Sequence, residues 1–121
     1  MMNWKILFAG MLICLVVTSG AFAHALIDHA DPKVGSKVKT SPKAVRIWFT
    51  EKLEPAFSSM RVLDADGKQV DKGDAHVDPK DQTLLAVNLP LLKAGTYKVV
   101  WRVTSVDTHK TEGDFQFQIV P

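Results

Sequence analysis

The chain has 121 residues, 15 basic against 13 acidic, a formal net charge of +2 and a single cysteine. Its basic side chains are scattered among acidic ones, which excludes the clustered footprint of a nucleic-acid-binding protein. The length allows one compact domain with one core, and no internal repeat, low-complexity tract or linker divides it.

The first element is a processing signal. Lys5 supplies a short positive start, Ile6 to Val17 form an apolar run of about a dozen residues, and Ala21-Phe22-Ala23 is an A-x-A cleavage site. The run falls short of the roughly 20 apolar residues that a transmembrane helix needs. Residues 1–23 are therefore read as a cleaved secretory signal peptide and residues 24–121 as the single mature domain, not embedded in the membrane after processing. Met11-Leu12-Ile13 are too bulky for a lipid-attachment site at Cys14. Cleavage removes that cysteine, leaving an exported domain without disulfides or thiolate metal ligands. Without Lys5 the balance is 14 basic to 13 acidic, close to neutral.

Period-two alternation dominates the mature chain. Val45, Ile47 and Phe49 alternate with Arg46, Trp48 and Thr50. Further strands are predicted near Met60–Leu63 and Thr83–Leu89, with a hairpin turn at Asp66-Gly67. Tyr97, Val99, Trp101 and Val103 then form one apolar face, and Phe115, Phe117 and Ile119 another. Asp31-Pro32, Val34-Gly35, Ser41-Pro42, Asp78-Pro79 and Ala94-Gly95 punctuate these runs, and Glu51 to Pro55 reads as a short irregular turn. No helical stripe appears. The pattern predicts an all-β fold, a Greek-key sandwich or small barrel.

Four histidines remain to be explained. Cleavage after Ala23 makes His24 the first residue, offering both its α-amine and its imidazole to one metal. Nitrogen donors of that kind favour Cu(II) in a square plane. Asp107 and His109 are two apart, so on an extended stretch both side chains project to one side. A solvated turn in which Asp107 caps local amides is the simpler reading of that pair taken alone. Together, His24, Asp107 and His109 supply three nitrogens and one oxygen, a tetragonal Cu(II) set. Glu51 is either a loop carboxylate or an outer group orienting the amine or an imidazole. His76 reads as a surface residue in a polar loop, and His29 as facing away from His24; either is at most a second, weaker metal ligand. A Gly-rich phosphate loop, a nucleophile elbow and HExxH are all absent from the sequence.

These residues carry a resemblance. His24-Ala25, Asp31-Pro32 with Gly35, Trp48-Phe49-Thr50-Glu51 with Leu53 and Pro55, Ala94-Gly95-Thr96-Tyr97, and Trp101-Arg102-Val103 through Ser105, Asp107-Thr108-His109 and Gly113 resemble the CopC family of periplasmic copper-binding proteins. The resemblance spans essentially the whole mature chain. It implies a cupredoxin- or immunoglobulin-like β-barrel in the periplasm and one Cu(II) per chain. The implied ligands are the amine and ring of His24 with Asp107 and His109, Glu51 standing beside them. A role in copper homeostasis or resistance follows, as does a CopD-type inner-membrane partner. Some family members carry a Met-rich Cu(I) segment, but residues 64–78 here contain no methionine, which implies a Cu(II)-only member. The expectation is a carrier or buffer and not an enzyme. Alternatives are a copper-dependent oxidative enzyme with a histidine brace, or a zinc or nickel buffer using the same ligands. Asp107 occupies a position that oxygen activation would need open.

Overall fold

The computed structural model describes residues 27–121, so the signal-peptide reading and His24 lie outside the described residues. The strands are β1 Ile27–Asp31, β2 Lys37–Val38, β3 Ala44–Phe49, β4 Ser59–Leu63, β5 His76–Asp78, β6 Asp81–Asn88, β7 Gly95–Thr104 and β8 Lys110–Ile119. They form two four-stranded sheets, ordered β1-β3-β6-β5 and β2-β8-β7-β4. Only β5–β6 and β7–β8 are consecutive strands paired in one sheet; every other connection passes between sheets, the interlocked path of a Greek-key sandwich.

The core is what the alternation dictates. Val45, Ile47 and Phe49 on β3 and Tyr97, Val99, Trp101 and Val103 on β7 are all buried. So are Phe115, Phe117 and Ile119 on β8, while their neighbours in sequence point outward. Met60, Val62, Leu85 and Val87 complete the filling between the sheets. Trp101 lies opposite Gly113 in the β7–β8 ladder, and its indole occupies the space a side chain there would need. The same ring meets Phe49 edge to face at 5.4 Å, tying the end of β3 to β7.

Three strands escape the sequence pattern. β1 buries only Ala30 and shows no alternation. β2 has two residues and β5 three, too short to show alternation. His76, expected in a loop, is the first residue of edge strand β5 opposite Ala86. The Asp66-Gly67 turn is present: Asp64 Oδ1 accepts the N–H groups of Asp66 and Lys68, each at 2.9 Å, and Gly67 takes φ 83°. Its returning arm makes only a bridge, Leu63 to Gln69, because the Asp71 carboxylate takes the Val62 N–H at 2.8 Å in place of a backbone acceptor.

Candidate metal centre

Two segments meet at one end of the sandwich. The first leaves β3 at Phe49 and runs through Glu51 to a single 3-10 turn, Pro55–Phe57. The second is the loop joining β7 to β8. Fully buried Leu53 bridges Ser105, Glu54 N–H donates to Thr104 O at 2.8 Å, and Val106 N–H donates to Lys52 O at 3.0 Å. The Ser58 hydroxyl adds a bond to Glu54 O at 2.9 Å and accepts from Thr104 N at 3.3 Å. Glu51 is thereby fixed relative to a loop far away in sequence.

These segments bring Glu51, Asp107 and His109 together, with one ligand atom from each lying within 4.8 Å of the others. Among the described residues no hydrogen bond reaches the Asp107 carboxylate or the His109 ring, so Asp107 is not spent on capping its own turn. Glu51 Oε1 is buried and has no hydrogen-bond partner. A buried acceptor left unpaired costs about 1–3 kcal/mol. Two carboxylates this close also repel, by about 1 kcal/mol in water and more as water is excluded. A divalent cation held by Asp107 and His109 offsets the repulsion, and an N–H group on one of its nitrogen ligands can pair the Glu51 oxygen. The donor set fits a borderline metal bound by nitrogen and oxygen, with no thiolate.

The expected route to this convergence needs correction. Asp107 and His109 do not sit on an extended stretch. Thr108 N–H donates to Ser105 O at 2.8 Å, and Thr108 adopts φ 72°. That is the three-residue hairpin loop, a turn followed by a left-handed residue. The Thr108 hydroxyl also contacts Asp107 O. Glycine is the usual occupant of the left-handed position, so a threonine there hid the turn from the sequence. His29 and His76 stay outside the cluster. His29 stacks on Trp48 at 4.3 Å with its Nδ1 2.7 Å from Asp28 Oδ2, and His76 Nδ1 lies 2.8 Å from Asp74 O.

The CopC domain family model matches residues 27–120. The chain belongs to the CopC family. Its similarity extends to Protein YobA of Escherichia coli K12, 34% identical over 110 residues that span 90% of this chain and 89% of the relative. CopC from Methylosinus trichosporium OB3b superposes with a TM-score of 0.71 at 36% identity, covering 81% of this chain and 95% of that one. PcoC, a methionine-rich copper resistance protein from Escherichia coli, superposes with a TM-score of 0.67 at 28% identity, over 78% and 96% of the two chains. Against that methionine-rich relative, this CopC domain differs: Met60 is the only methionine among the described residues, and it is buried in the core.

Proposed function

We propose that this CopC-family chain is a periplasmic copper carrier or buffer that binds one Cu(II) through the processed N-terminal His24, Asp107 and His109. The observation that carries the reading is the convergence of Glu51, Asp107 and His109, with a Glu51 oxygen buried and unpaired. The register of β1 supports the part assigned to His24. Ile27 lies opposite Phe49 in an antiparallel pair, so the chain upstream of Ile27 starts from the end of the sheet where Glu51 sits. Three residues of chain reach at most about 10 Å, so His24 is confined to the neighbourhood of that end of the sheet.

In this reading the His24 amine and ring, with His109, give three nitrogens, and Asp107 gives the oxygen of a tetragonal site. Glu51 stands at the edge as a carboxylate that orients the amine or an imidazole. With no cysteine and no methionine cluster, reduced copper has no soft donors to hold it, which suits a carrier that releases its cargo on reduction. By family analogy the receiver is a CopD-type inner-membrane protein. Cleavage of residues 1–23 is part of the same proposal, because it creates the free amine.

Native mass spectrometry of the exported protein, with and without Cu(II), tests this reading. The expected species begins at His24 and gains one copper, with a tetragonal electron paramagnetic resonance signal and no intense blue band. Two equally tight copper ions, or no copper, would refute it.

A further inference from the structure

The hairpin loop contains a residue with no direct claim on the metal and an unusual concentration of bonds. Ser105 is completely buried, a polar side chain in an apolar setting beside Leu53 and Val103. All of its hydrogen-bonding groups turn onto the loop that follows. Its N–H donates to His109 O at 3.0 Å, its carbonyl accepts from Thr108 N–H at 2.8 Å, and its hydroxyl accepts from His109 N–H at 3.3 Å. Through its bridge to Leu53, Ser105 is also tied to the segment that carries Glu51.

We infer that Ser105 is a positioning residue whose hydroxyl sets the register between Asp107 and His109; the inference rests on the copper reading above. In a three-residue loop the left-handed residue, here Thr108, takes up the i to i+3 bond to the Ser105 carbonyl. The next amide, that of His109, is then offered to the Ser105 hydroxyl. That bond fixes the His109 backbone, and with it the direction in which the imidazole leaves the chain. An alanine at 105 would pack in the same apolar space but leave the His109 N–H without this acceptor. The loop would then relax where two ligands are two residues apart, and a tetragonal metal tolerates little misplacement of its donors.

The test compares Ser105→Ala with Tyr97→Phe by competitive Cu(II) titration, electron paramagnetic resonance and thermal unfolding. Tyr97 is the control: its hydroxyl donates to Lys93 O at 2.7 Å near the start of β7, the end of the strand away from the Asp107 and His109 loop. Ser105→Ala is expected to weaken Cu(II) binding about 10–100-fold, as loss of groups that orient ligands does, and to broaden and shift the copper hyperfine pattern. Tyr97→Phe is expected to lose stability while keeping the wild-type copper signal and affinity. Should Ser105→Ala fail to fold, Ser105→Thr and Ser105→Val replace it: they add the same bulk, and only the threonine keeps a hydroxyl and is expected to keep the wild-type signal. The inference is overturned if Ser105→Ala, or Ser105→Val, retains wild-type affinity and spectrum while His109→Ala loses binding. If His109→Ala also binds copper normally, the site reading itself has failed, and the Ser105 assignment with it.

Discussion

Replacing Gly113 by alanine tests the packing that fixes the end of β3 beneath Glu51. A Cβ at Gly113 would lie 2.7 Å from Trp101 Cζ2 and 3.1 Å from Cε2. Trp101 is only 3% exposed and is held on another side by Phe49, so the ring cannot swing into solvent. Overpacking of this kind costs about 1–3 kcal/mol. Alanine recovers about 0.4–1 kcal/mol by restricting the unfolded chain, so the steric term wins and the net loss is about 1–2 kcal/mol. For a domain of this size that is a fall in Tm of about 4–16 °C. Thermal unfolding followed by circular dichroism, with the near-ultraviolet signal reporting the indole, reads both effects. An unchanged or higher Tm with an unchanged aromatic signal would mean that Trp101 does not lie over Gly113.

Thr108→Gly should act in the opposite direction. It removes a left-handed cost of about 1–2 kcal/mol, gives back about 0.4–1 kcal/mol to the freer unfolded chain, and should raise Tm slightly with the turn kept; a clearly lower Tm in a melting curve would contradict the assigned φ. The Asp74 carboxyl is held below its ordinary pKa by bonds from the Asn88 side chain and backbone. A depressed folded pKa contributes stability above the unfolded value near 3.9 and loses it as pH falls through the folded one. Asp74→Ala should therefore flatten the decline in stability below about pH 4, and an unaltered acid limb in urea titrations would count against the bond. At the site, Asp107→Ala and His109→Ala should each abolish tight Cu(II) binding, Glu51→Ala should weaken it about 10–100-fold, and His76→Ala should change nothing in the same competitive titration.

The fold was legible because its apolar faces are long. Val45 to Phe49, Tyr97 to Val103 and Phe115 to Ile119 each repeat the alternation often enough to declare a strand and its inward side. β1, β2 and β5 were not legible: all three are edge strands, β1 buries only Ala30, and the two or three residues of β2 and β5 carry no period. At the site, spacing alone favoured a solvated turn for Asp107 and His109; their combination with His24 and the resemblance to the CopC family singled them out, and the structure brings both together with Glu51. The geometry that joins them was hidden, because a threonine at φ 72° does not announce a turn as glycine does. In the sequence Ser105 is only one member of a motif. Its burial and its bonds to His109 are tertiary facts that no local pattern encodes.

The central claim is that the metal is bound by a terminus that exists only after processing. A free α-amine has a reference pKa of about 7.7–8.0 and binds copper by giving up its proton to the metal. In the uncleaved chain the same nitrogen is an amide joined to Ala23, and His24 offers only its ring. The direct measurement is a competitive Cu(II) titration of protein beginning at His24 against the same protein extended by one alanine before it, with circular dichroism confirming equal folding. The account predicts that the extended chain folds normally and loses tight binding. Equal affinity in the two proteins would show that the His24 amine is not a ligand.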